Sequence, residues 1–197
     1  MNLPIAKYGD PILRAQGRRV EKVNDHIREL AANMVETMHA ANGVGLAAQQ
    51  VGEALQLTVL DVLQTEDRPS TLRLNGREIE LLAAMPLILL NPKIALDGET
   101  NISTEGCLSF PEITAEIERS VAVNVLAETL EGEPIQIEAT GLLARALQHE
   151  VDHLNGILFI DRMSSVAKAT LQSRLKRLRK ETLRDEKNAA RTSQINL

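Results

Sequence analysis

The chain of 197 residues has one cysteine, no tryptophan, one tyrosine and two phenylalanines. Each scarcity excludes something. A lone cysteine, Cys107, forbids an intramolecular disulfide, so a stapled secreted scaffold is ruled out. With aromatics at 2%, a single-strand nucleic-acid binder that stacks bases on rings is disfavoured. The longest mostly apolar stretch, Leu81 to Leu90, is broken by Pro86 and is about half what a membrane-spanning helix needs. The first residues, Met1 to Lys7, lack the basic-then-apolar order of a secretory signal. A cytoplasmic protein is the expectation, with neither a membrane nor a specific nucleic-acid sequence as partner. What is present is ordinary for a folded domain: 44% apolar and 25% charged residues. The charge is uneven. Against a total of −5, residues 164–197 carry nine Lys/Arg and three Asp/Glu, a net +6 that leaves −11 on the rest. We therefore expect a catalytic body over residues 1–163 and a basic C-terminal helix and tail over residues 164–197.

Ile27, Leu30, Ala31, Met34, Val35, Met38 and Ala41 recur at helical spacing, which predicts a helix over about 25–42 with Asn24 as its cap. Residues 57–62 read as a strand and 86–91 as a buried one. Asn75-Gly76 turns a hairpin within 72–82. Residues 129–133 join the alternating Val121, Val123 and Val125 to Ile135 and Ile137 in a second hairpin. A helix over about 140–155 follows, and a last helix starts near Ser164. Strands outnumber helices and do not alternate with them as βαβ units. The expected fold is α+β, with antiparallel or mixed β-sheets packed around the 140–155 helix and a C-terminal helix beyond it.

The chemistry concentrates in His149-Glu150-Val151-Asp152-His153. Two imidazoles four residues apart share one helical face, the spacing a metal held by one helix requires. Around that helix Glu150 falls among Leu142, Leu143, Ala146, Leu147, Val151 and Leu154. A carboxylate there is costly unless paired, neutralised or working. Arg145, Gln148, Asp152 and Asn155 take the opposite, polar side. A catalytic metal usually has three protein ligands. His26 and His39 read as surface residues. Cys107, in Glu105-Gly106-Cys107-Leu108-Ser109, is either a thiolate ligand or a small hydrophobe. In Gly43-Val44-Gly45-Leu46-Ala47-Ala48-Gln49-Gln50, small residues permit a close backbone approach to a ligand, or simply end a helix before a strand. No Gly-Lys-Ser/Thr follows, so this is not a phosphate loop.

Together these segments resemble the peptide deformylase family. That family has Gly-x-Gly-x-Ala-Ala-x-Gln, Glu-Gly-Cys-Leu-Ser and Gln-His-Glu-x-x-His in this order. Here they are Gly43 to Gln50, Glu105 to Ser109 and Gln148 to His153. The flanks Tyr8 to Arg14 and Leu158 to Arg162 match too, and the resemblance spans residues 4 to 180 or so. It implies removal of the formyl group from N-formylmethionyl peptides, with release of formate. It implies Cys107, His149 and His153 as metal ligands, Glu150 as general base and acid, and Gln50 and the Leu108 N–H as oxyanion donors. Gly45 would bond the substrate backbone, and Val44, Ser103 and Ala146 would line the methionine pocket. A supporting Glu105–Arg119 ion pair is implied as well, although Arg119 by itself reads as a surface charge. Two imidazoles and a thiolate suggest zinc. The resemblance implies Fe2+ instead, with Ni2+, Co2+ or Zn2+ able to substitute.

Some features depart from the family. Pro111-Glu112 stands where Pro-Gly is frequent, Ile113-Thr114 where some bacterial members carry an arginine, and the Leu63 to Pro86 segment is longer than in compact members. Arg174, Lys176, Arg177, Arg179, Lys180 and Arg184 cluster on the last helix. They read as a solvated face or as a docking surface for the ribosome. Two rival readings stay open here. A zinc protease would take Asp161 or Glu181 as third ligand in place of Cys107. A non-enzymatic ribosome-associated protein would show no turnover.

Overall fold

Apolar spacing and a few polar caps account for most of the chain's local structure. The computed structural model describes residues 1–65 and 68–195. Two residues of the long 63–86 segment and the last two of the expected tail lie outside the described residues. Helix α1 (Asp25–Ala40) starts where the Asn24 side chain accepts the Ile27 N–H at 3.0 Å. It buries Ile27, Leu30, Ala31, Met34 and Met38 at the expected spacing. Then come β1 (Gly45–Ala47), a 3-10 turn over Ala48–Val51, β2 (Leu57–Leu60), and β3 (Leu72–Leu74) and β4 (Arg77–Glu78) about Asn75-Gly76. One helical turn, α2 (Leu81–Ala84), precedes β5 (Leu87–Leu96), β6 (Thr100–Gly106), β7 (Thr114–Ser120), β8 (Ala122–Glu128) and β9 (Pro134–Thr140). Helices α3 (Gly141–Leu154), α4 (Phe159–Arg162) and α5 (Ser165–Ile195) complete the order.

Seven strands form one sheet in the order β1-β2-β5-β8-β9-β3-β4, and β6 and β7 pair separately. Every pairing between these strands is antiparallel, and parallel contact occurs only as isolated bridges, Tyr8 with Asp10 and Arg18 with Leu55, among the described residues; the fold is α+β. β5 runs longer than expected because a register shift between Leu90 and Lys93 lets it pair with β2 first and β8 afterwards. β2 stops at Leu60, where the Asp61 side chain accepts the Leu63 N–H and turns the chain.

α3 sits at the centre. Leu142, Leu143 and Leu147 pack against Val123, Val125 and Ala127 of β8 and Ile137 and Ala139 of β9. α1 closes a second cluster over β1, β2 and β5. A third cluster joins Leu13, Phe110, Ile117 and Phe159 to Leu171, Leu175 and Leu178 of α5. There Phe110 stacks on Tyr8 and meets Phe159 edge-on.

The polar side of α3 is covered rather than solvated: Arg145, Gln148 and Asp152 are all buried. The β6–β7 hairpin covers that arc and brings the partners that make burial tolerable. Arg145 donates to Glu105 and to the Ile117 carbonyl, and Asp152 accepts from Arg119 and Arg162. Arg119 is likewise buried rather than a surface charge. His39 is half-buried, with Nε2 2.9 Å from Asp61 Oδ2. His26 is exposed, as expected. Among the described residues no helix is long and apolar enough to cross a membrane.

Candidate active site

The three segments that carry the sequence signal come from β1, the end of β6 and α3, and they meet at one cavity of about 490 Å³. Cys107 Sγ and ring nitrogens of His149 and His153 lie within 4.8 Å of one another. The two imidazoles stand edge to face at 5.0 Å, one turn apart on α3. His153 Nε2 is 3.3 Å from Cys107 Sγ. Asp161 is paired with Arg14, and Glu181 with Arg177 on α5, so neither carboxylate of the protease alternative joins this cluster.

Glu105 orients His149. Its carboxylate takes His149 Nδ1 at 3.1 Å, Arg119 at 3.0 and 3.1 Å, and Arg145 at 2.7 Å. A carboxylate only accepts, so Nδ1 is the donor, and a bound metal would take the place of the proton on Nε2. Burial alone would raise the Glu105 pKa; the bonds from His149 and Arg119 outweigh it and hold the group at about 2.

The charge balance fits a cation. Burial pushes Glu150 up to about 7, against the pull of His149 and Arg119. Burial and the neighbouring His149 charge hold His153 well below the imidazole range. Burial disfavours a charge on His149 too, yet its bonds to Cys107 and Glu105 raise it well above that range. The protein thus places positive charge between a thiol and two carboxyls, where a divalent ion would supply it. Glu150 Oε2 is buried without a partner among the described residues, which also suits a site completed by an ion and water.

Gln50 follows from the turn after β1. Its Oε1 accepts the Ala47 N–H at 2.9 Å, which aims Nε2 at Cys107 Sγ, 3.6 Å away, and at Ser109 Oγ, 3.3 Å away. Leu108, Val44, Gly45 and Ala146 line the cavity with Glu150. Ser103 is not on the lining; it accepts a bond from Arg68, which is. The Glu112 backbone adopts φ 59°, the left-handed region where glycine is easier. Lys7, Arg68, Arg145 and Asp152 were not legible as site residues. Nothing in their local pattern marks them; Lys7, Arg68 and Arg145 line the cavity from the N-terminal segment, the 63–86 segment and the covered face of α3, and Asp152 supports it through Arg119.

Two substitutions probe this arrangement. A Cβ on Gly45 would overlap Glu150 Oε1 and lie 2.8 Å from its Cγ and Cδ. Gly45→Ala is expected to displace the carboxyl and cut turnover about 10²-fold, the effect of a misplacement near 1 Å, with metal content unchanged by elemental analysis. Arg119→Leu strands parts of Glu105 and Asp152, which Arg145 and Arg162 still reach. Urea denaturation should show a loss of about 3 kcal/mol, the low end for a broken buried pair. Because the folded-state pKa of Glu105 is depressed, its stabilisation is full above pH 4.5 and lost as pH falls toward 2. The gap between wild type and variant should narrow over that window.

Potential donors for a metal beside a buried carboxyl, inside a substrate-sized cavity, are the arrangement that hydrolysis at a metal requires. The polypeptide deformylase family profile matches residues 2–169. The peptide deformylase of Opitutus terrae is 43% identical over 184 residues, 92% of this chain and 95% of that protein. The peptide deformylase of Acinetobacter baumannii is 40% identical over 185 residues, 93% and 96% of the two chains. Among solved structures, the Thermotoga maritima peptide deformylase superposes with a TM-score of 0.71 at 41% identity, over 83% of this chain and 99% of that one. That from Ehrlichia chaffeensis gives 0.78 at 36% identity, over 93% and 99%. This chain belongs to the polypeptide deformylase family.

Proposed function

We propose that this protein removes the formyl group from N-formylmethionyl peptides by hydrolysis, releasing formate and a free amine. The observation that carries the reading is the convergence of Cys107, His149 and His153 with Glu150 and Gln50 on one cavity. Cys107, His149 and His153 would hold the metal, Fe2+ as the working ion, with Ni2+, Co2+ or Zn2+ as substitutes. When bound, the metal supplies a Lewis acid for the formyl carbonyl and makes water acidic near neutral pH. Glu150 takes the proton of the attacking water and returns it to the leaving nitrogen. Gln50 Nε2 and the Leu108 N–H donate to the oxygen on which charge develops, each worth roughly 10²–10³-fold in rate. Gly45 bonds the peptide backbone, and Val44 and Ala146, with Ser103 behind Arg68, shape the methionine pocket. Anaerobically purified, iron-loaded protein should release formate from formyl-Met-Ala. No formate from iron-, nickel- or zinc-loaded protein would sink the reading.

Residues 164–197 are treated as a basic appendage to the 1–163 body, in the cytoplasm beside the translating ribosome. Arg177, Arg179, Lys180 and Arg184 are exposed on α5, while Leu171, Leu175 and Leu178 anchor it to the body. Charge reversal is therefore a cleaner test than truncation, which would uncover the third core cluster. Lys176→Glu with Lys180→Glu should keep small-peptide turnover and weaken ribosome co-sedimentation, most visibly at low salt. Unchanged co-sedimentation would rule out this face.

A further inference from the structure

Three cations line the active-site cavity: Lys7, Arg68 and Arg145. Two are engaged. Lys7 Nζ donates to the Leu108 carbonyl at 2.9 Å. Arg145 is buried on Glu105, Asn101 and the Ile117 carbonyl. Arg68 differs. Among the described residues the one hydrogen bond of its side chain runs from Nη2 to the neutral Ser103 hydroxyl at 3.3 Å, and it has no ion pair. The exposed Glu112 on the same lining does not reach it. A guanidinium presents five N–H donors in a planar fork that matches a carboxylate. Half-buried, Arg68 has given up water without gaining a charged partner.

Its position is built into the fold. Ser70 Oγ accepts the Leu143 N–H at 2.9 Å, and Thr71 Oγ1 lies 2.6 Å from Thr140 Oγ1. Gly141, at φ 65°, lies so close beneath the Pro69 carbonyl that no side chain fits. These ties fasten the residues just after Arg68 to the first turn of α3, whose Leu142 and Ala146 form a wall of the cavity. The 63–86 segment thereby delivers a cation with unused donors to the same space as Glu150.

We propose that Arg68 binds a carboxylate carried by the substrate peptide beyond its formylmethionine and so gives the enzyme a preference for acidic peptides. The proposal rests on the deformylase reading above. Acidic side chains and a free peptide C-terminus offer the same two oxygens, and the substrates below separate them.

The test is steady-state kinetics on the metal-loaded full chain. Amidated peptides formyl-Met-Ala-Ser, formyl-Met-Glu-Ser, formyl-Met-Ala-Glu and formyl-Met-Lys-Ser are compared, together with formyl-Met-Ala bearing a free or an amidated C-terminus. For the carboxylate in reach, kcat/KM should exceed that of the neutral peptide by about tenfold, the scale of one hydrogen bond to a charged group. Whichever pair shows it identifies the source. Arg68→Ala should bring that ratio to one, Arg68→Lys should keep part of it, and Arg68→Glu should favour the lysine peptide. Taking ratios within each variant cancels any change in folding or metal content. Should Arg68→Ala fail to fold, loss of the wild-type preference at high salt and the Arg68→Lys ratio decide in its place. An equal ratio in wild type and Arg68→Ala, or no acidic preference in any pair, overturns the proposal. No formate from any peptide would instead bring down the deformylase reading, and the proposal with it.

Discussion

Glu150→Gln is expected to retain the metal and lose roughly 10²–10⁴-fold in formate release, the usual worth of general acid–base catalysis. The amide keeps the shape of the side chain among Leu147, Val151 and Gly45 but cannot accept a proton. Glu150 holds none of the metal donors in place; Glu105 does that for His149. Binding and proton transfer are therefore separable, and paired measurements of metal content and turnover read them apart. A variant keeping more than about a tenth of wild-type turnover would remove Glu150 from the proton-transfer role. The same substitution removes a group that folding must bury. Since the Glu150 pKa is raised in the folded protein, its ionisation opposes folding as pH rises toward 7. Metal-free Glu150→Gln should accordingly melt higher than metal-free wild type at pH 8, with the difference vanishing near pH 4.

Cys107→Ala should lose both metal and activity. It removes the one thiolate donor and leaves two imidazoles on a single helix, with water as a poor replacement on a borderline ion. The loss in affinity should exceed the roughly 10–100-fold that follows from deleting a supporting hydrogen bond. Elemental analysis after dialysis is the measurement, and full stoichiometry in the variant would return Cys107 to the role of a core residue. His153 provides a second readout. With Sγ gone, its Nε2 loses the contact at 3.3 Å, so the ring resonances of His153 should shift even in metal-free protein.

Much of this site was legible in the order of residues. Four-residue spacing put His149 and His153 on one face, and Glu150 stood out because a carboxyl occupied an apolar arc. Asn24 marked a helix start, and alternating valines marked β8. Such signals are local: they arise from the 3.6-residue and two-residue periods of backbone geometry and need no knowledge of what packs where. Burial of Arg145, Gln148, Asp152 and Arg119 was not legible. Periodicity separates apolar from polar side chains, but whether a polar arc meets water or another element depends on residues far away in the chain. Here the β6–β7 hairpin supplied Glu105 and Arg119 to that arc, and ion pairing replaced hydration.

By itself, then, the sequence determined the α+β class and the helix that carries two imidazoles on one face with a carboxyl in its apolar arc, and it left Cys107 either a ligand or a small hydrophobe. These rest on short-range spacing and on the chemistry of side-chain types. Only the tertiary structure decided that Glu105 orients His149, that the Gln50 amide turns toward Cys107, and that Arg68 reaches the cavity from the 63–86 segment. Each of those contacts joins residues between 35 and 57 positions apart, and no local period constrains distances that only the packing of β6, β1 and α3 brings below 4 Å.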